Sequence, residues 1–119
     1  PKDEILRFIA SSFRSVWALE LLLVLKRERR PWSHQELITC MRASDLVVTK
    51  ALTALEAAGL VTNYAGTTQY TPVSDEVAAL VDEAEALYAK GPDAVRRAIV
   101  AASSEGASAF ANAFKLRKD

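Results

Sequence analysis

The 119-residue sequence predicts a mainly α-helical single domain carrying one small β-hairpin. Three observations predict it. From Ser33 to Val73 a helix, a short break, a second helix ending at Gly59 and a small polar hairpin follow one another with almost no spare residues. Half of all residues are apolar, enough for one ordinary hydrophobic core and too few for two full domains. Serines stand where helix starts need caps, at Ser33, Ser44 and Ser74, and Gly59 and Gly91-Pro92 stand where helices must stop.

In chain order, Ile5, Leu6, Phe8 and Ile9 form one apolar side of a short N-terminal segment. Val16 to Leu25 follows, with nine of its ten residues apolar and only Glu20 interrupting. Ten residues are half of the ~20 that span a bilayer, so this is a buried helix; being apolar almost all round, it is central or shared with a partner subunit. Lys26, Arg27, Arg29 and Arg30 sit at its end, where cations suit the negative helix pole or meet phosphate, and Pro31 stops it. Ser33 caps the next helix, Glu36 closes a capping box with it, and Trp32 staples onto Leu37. Leu37, Ile38 and Met41 form its inner face, and Cys40 reads as a small core or half-buried residue.

Ser44 caps the following helix, with Asp45 in its first turn. Val48, Ala51, Leu52 and Leu55 face the core, and Leu46, Val47, Thr49, Lys50, Thr53 and Ala54 face outward. Leu60 to Tyr64 favours strand, Ala65-Gly66-Thr67 is a turn, and Gln69 to Val73 favours strand until Pro72 interrupts. Ser74 caps a helix from Asp75 to about Lys90, with Val77, Leu80, Val81, Ala84, Leu87 and Tyr88 on one side. Asp93 to Ala102 is helical after Pro92, and a loop or cap at Ser103 to Gly106 precedes a last helix holding Phe110, Ala113 and Phe114.

Fifteen basic and fifteen acidic residues cancel, so any attraction to nucleic acid must be local. From Arg14 to Lys50 seven basic residues face four acidic ones, a net of +3, whereas Ser74 to Asp93 carries −5 and should point away from DNA. Arg96 to Lys118 returns to +4, to grip phosphate or to pair with the acidic helix. Cys40, the single cysteine, allows no internal disulfide, and no secretion signal is legible, so the expected location is the cytoplasm. No enzyme, metal or cofactor is expected. His34 is the only histidine, the carboxylates Asp82, Glu83 and Glu85 read as a wet helix face, Ser103-Ser104 lacks a positioned base, and no glycine-rich phosphate loop occurs.

The ordered set Glu36-Leu37, Ser44, Val48, Leu52, Leu55, Gly59-Leu60-Val61 and Tyr70-Thr71-Pro72 resembles the winged helix-turn-helix domain of bacterial transcriptional regulators, most closely the multiple-antibiotic-resistance-regulator group. The resemblance covers about Phe13 to Tyr88. It implies a core at about 13–73, with the helix from Ser44 to Ala58 in the major groove, the wing from Tyr64 to Gln69 on the backbone or minor groove, and flanking segments 1–12 and 74–119 forming a homodimer. Double-stranded DNA is then the expected partner. Lys50, Thr49 and Val47 read bases, Thr53, Arg42 and Ser44 hold the backbone, and Thr67, Thr68 and Gln69 supply wing contacts.

The dimer seam is expected from Ile5, Leu6, Phe8, Ile9, Phe110, Phe114 and Leu116, unless both ends close over the core of one chain. Leu46 and Val47 are apolar where such regulators carry small polar residues, and the wing has no arginine or lysine. A competing expectation is therefore an adaptor that meets a protein partner through Leu46, Val47 and the wing, with DNA contact weak or absent. A third is a ligand-responsive switch with an apolar cleft near Trp17, Trp32 or Tyr88.

Overall fold

The computed structural model of the chain describes residues 2–103. It contains α1 (Lys2–Ser12), α2 (Val16–Arg27), β1 (Trp32–Ser33), α3 (His34–Met41), α4 (Asp45–Ala57), β2 (Val61–Tyr64), β3 (Thr67–Tyr70) and α5 (Asp75–Lys90). A further helix, α6, begins at Pro92 and is described to residue 103. The expected last helix with Phe110, Ala113 and Phe114, and the part of the dimer seam assigned to Phe110, Phe114 and Leu116, lie outside the described residues.

The architecture is mainly helical with a small three-stranded antiparallel sheet in the order β1-β3-β2. Helix α2 is the centre, as an apolar surface running nearly all round it requires. Ala18, Leu19, Leu21, Leu22, Leu23 and Leu25 are all buried. Ser15 caps it, its Oγ accepting from the Ala18 amide at 3.2 Å, and α1 meets it at a 102° corner. Phe13 is buried at that corner with the Phe8 ring edge-on to it at 6.2 Å. Helix α1 then lies against α5, with Ile5 and Ile9 buried in the core. Its apolar side is therefore spent inside the chain, and the reading of Ile5 and Ile9 as dimer-seam residues is corrected. No single described helix is long and apolar enough to cross a membrane.

Helix α2 ends at Arg27, short of the expected stop at Pro31. The indole Nε1 of Trp32 donates to the Glu28 carbonyl at 3.0 Å, so the chain has already turned back on itself there. Trp32 and Ser33 then form a two-residue strand that the sequence reading did not contain, pairing with Thr68 and Thr67 of β3. Two residues are too few to display any periodicity; the partner strand thirty-odd residues onward defines them. Ser33 also caps α3, its Oγ accepting from the Glu36 amide at 3.1 Å while its own amide donates to Glu36 Oε1 at 2.9 Å. That backbone hydrogen bond, followed by Arg30, holds the Glu36 carboxyl below its ordinary pKa. Leu37 is buried and Ile38 and Met41 are half-buried. Cys40, in contrast, is exposed, which corrects its assignment to the core or its edge.

Arg42, in the left-handed region at φ 53°, ends α3, and Ser44 caps α4 by accepting from the Val47 amide at 3.1 Å. Val48, Ala51, Leu52 and Leu55 are buried, as the spacing predicts. Gly59 at φ 76° lets the Leu60 amide reach back to the Leu55 carbonyl at 3.0 Å. A side chain there would also crowd Val73, whose Cγ1 lies 3.3 Å from the position of a Cβ.

The hairpin turns on two residues, Ala65 at φ 53° and Gly66 at φ 82°. Thr67 belongs to the second strand, so that strand starts two residues earlier than expected and ends at Tyr70. Two positive φ values suit the primed turn that matches strand twist, and Asn-Gly is its favoured pair. Ala65→Asn is accordingly expected to stabilise the fold by about 1 kcal/mol, read as an increased urea midpoint at unchanged slope.

Ser74 caps α5, accepting from the Val77 amide at 3.1 Å. The acidic face of α5 is tied to the end of α2. Lys26 Nζ lies 2.6 Å from Glu85 Oε1 and 3.1 Å from Asp82 Oδ1, and Arg27 Nε lies 3.4 Å from Glu85 Oε2. The Glu85 hydrogen bond is the largest influence raising the Lys26 pKa.

Candidate nucleic-acid interface

The outward face of α4 follows from its phase. With Val48, Ala51, Leu52 and Leu55 buried, 3.6 residues per turn turns Thr49, Lys50 and Thr53 to solvent, and all three are exposed. Val47 is half-buried and Leu46 is 63% exposed at the start of the helix. Arg42 and Ser44, at the break between α3 and α4, are also exposed. These six predicted residues, Arg42, Ser44, Val47, Thr49, Lys50 and Thr53, thus come together on one helix and the turn before it.

Their hydrogen bonds divide the work among them. Thr53 Oγ1 donates to the Thr49 carbonyl at 2.9 Å, Thr49 Oγ1 donates to Asp45 Oδ1 at 3.4 Å, and Ser44 Oγ serves the cap. The two threonines therefore present methyl groups and acceptor lone pairs outward, while the strong donors are Lys50 and Arg42. Neither has an ion-pair partner among the described residues.

The wing departs from its expected roles. Thr67 and Gln69 are half-buried, and Thr68 is only 3% exposed. Strand β3 is the middle strand, paired on both sides, and its alternation turns Thr68 inward with Tyr70. Thr68 is therefore withdrawn from the contact set. The hairpin instead presents Thr62 to Gly66, all exposed, of which Tyr64, 82% exposed beside the turn, is the largest. Strand alternation would have found Thr68 only with the inward face known, and Tyr70 supplied no such mark.

The basic run after α2 is likewise committed elsewhere. Besides Lys26 and Arg27, Arg30 Nη2 pairs with Glu36 Oε2 at 3.1 Å and its guanidinium lies 3.9 Å from the Trp32 ring centre. Arg29 lies 5.2 Å over Tyr70. The run thus holds the sheet and α5 against α2, and its phosphate-contact reading gives way to internal pairing.

His34 Nε2 bonds to Asp45 Oδ1, linking the first turns of α3 and α4. Thr49 Oγ1 approaches the same ring nitrogen at 3.5 Å. A hydroxyl nucleophile relay needs acid and hydroxyl on opposite imidazole nitrogens, so this trio is a strut between helices. Among the described residues no group of three His, Cys, Asp or Glu could hold a metal ion.

Beside α4 runs a groove of about 620 Å³ between it and the α1–α2 corner. Ser11, Ser12 and Arg14 line it from the corner, and Thr49, Lys50, Thr53 and three alanines line it from α4 and its C-cap. A smaller recess of about 290 Å³ continues from it, sharing Arg14 and Lys50 and adding Trp17 and Val47. Trp17 is 44% exposed. Arg14 belongs to no sequence motif, and the 102° corner alone brings it to α4. Comparison of the chain with family models, with curated proteins and with solved structures finds no match in any of the three.

Proposed function

We propose that the chain is a winged helix-turn-helix DNA-binding regulator of transcription, repressor-like and dimeric, acting in the cytoplasm. Helix α4 enters the major groove, Lys50 meets base edges or phosphate beside Thr49 and Val47, and Arg42, Ser44 and Thr53 lie along the backbone. Thr67 and Gln69 keep a minor part at the wing, and Thr68 none. The observation that carries this reading is the exposed face of α4, capped at both ends, braced against α3 by His34–Asp45 and adjoined by a hairpin. A two-fold dimer sets two such helices ~34 Å apart, one DNA turn.

Lys50→Glu tests it. Anisotropy with fragments from the gene's own promoter, repeated over a salt series, is expected to show at least ~10-fold weaker binding and a salt slope flatter by about one unit. Unchanged affinity and slope would mean that α4 is not the reading surface. The adaptor reading draws on the exposed Leu46, on Val47 beside it and on a hairpin without arginine or lysine, and wild-type protein that binds no fragment even at low salt would favour it.

A further inference from the structure

We infer that one phosphate strand of the DNA runs through the groove between the α1–α2 corner and α4, clamped by Arg14 from one wall and Lys50 from the other. This rests on the DNA-binding reading above, and it assigns the electrostatic anchor to the corner rather than to the hairpin.

Three features of the groove carry the inference. First, both cations line both parts of the trough, and neither has an ion-pair partner among the described residues. Every member of the run Lys26, Arg27, Arg29 and Arg30 is meanwhile paired with a carboxylate or stacked on a ring. Second, no aspartate or glutamate lines either part, although acidic residues are as numerous as basic ones in the chain. Third, the neutral polar walls are largely self-satisfied: Ser11 Oγ donates to the Phe8 carbonyl at 3.1 Å and Thr53 Oγ1 to the Thr49 carbonyl at 2.9 Å. What remains is positive charge over alanines, with Trp17 and Val47 in the recess beyond, a trough that admits a bulky anionic backbone closely and offers a neutral ligand little to hydrogen-bond to.

The hairpin cannot take this part, because residues 61–70 contain no arginine or lysine. Two cations per subunit release about two counterions, a slope of about −1.8 in log affinity against log salt from the clamp.

The test uses the full chain, a fluorescein-labelled mixed-sequence duplex and a salt series. Arg14→Ala is expected to flatten the slope by about 0.9 per clamped phosphate, and Arg14→Lys, which keeps the charge, to restore it. Lys90→Ala removes the same charge from the exposed end of α5 and is expected to leave the slope at the wild-type value. If the wild type binds with a clear salt slope and Arg14→Ala matches it, the clamp is overturned while the DNA reading stands. If the wild type binds the duplex at no salt concentration, both fall together.

Discussion

Ile9→Ala is expected to cost about 2–5 kcal/mol, the range for truncating a large aliphatic side chain in a packed interior. Ile9 has no exposed surface, sits on the face of α1 that lies against α5, and belongs to the same core as Phe13 and the α2 leucines. Alanine leaves a cavity that α1, fixed at its far end by the buried Phe13, closes only in part. Small domains have about 5–15 kcal/mol in total, so the loss is expected to lower the melting temperature by on the order of 10 °C or more. Urea unfolding at two widely separated protein concentrations separates this from a dimer seam. Burial within the subunit predicts the same loss relative to wild type at both, whereas a residue buried by a partner chain makes the loss concentration-dependent. A loss under about 0.5 kcal/mol, the scale of a surface change, would show that α1 does not close over the core.

Tyr70→Phe is expected to act in the opposite sense, raising stability at neutral pH by about 1–3 kcal/mol. Tyr70 is 5% exposed, and its hydroxyl is buried without a hydrogen-bond partner. Folding therefore strips the hydroxyl of water without replacing it, and phenylalanine removes that cost. The ring itself stays useful: it opposes Val61 across β2 and β3 and carries Arg29 over its face, and phenylalanine keeps both. Burial also raises the Tyr70 pKa above its ordinary value, and the Glu85 hydrogen bond does the same for Lys26. A group whose folded pKa is raised contributes fully below its unfolded pKa and loses that contribution as pH rises through the folded one. Wild-type stability should thus fall from about pH 10 upward, and the tyrosine share of that fall should vanish in Tyr70→Phe. Denaturation curves at neutral and alkaline pH check both parts. Destabilisation at neutral pH would mean that the hydroxyl is satisfied.

Much of the fold is legible because its punctuation is local. Ser33, Ser44 and Ser74 each accept from the amide three residues on, Glu36 answers Ser33, and Gly59 returns Leu60 to Leu55. Each of these bonds closes within five residues, so residue type and order suffice to find it. The phases of α4 and α5 are legible for the same reason, since a 3.6-residue repeat needs no partner to be recognised.

The candidate interface is less so. Lys50 and Thr49 could be turned outward from helical phase alone, but Thr68 looks like any other hairpin threonine until β1 and β2 flank it. The cations after α2 look free until the acidic residues of α5, more than fifty positions away, take two of them. Arg14 looks like nothing at all until the chain bends between Phe13 and Val16. Caps, helix phases and the single apolar core are properties of neighbouring residues, and these were settled along the chain. Strand β1, the direction of α1's apolar side, the loss of the basic run to ion pairs and the groove at α4 are properties of residues far apart. They exist only once burial has brought those residues together, because pairing and desolvation depend on distance in space and not on distance in sequence.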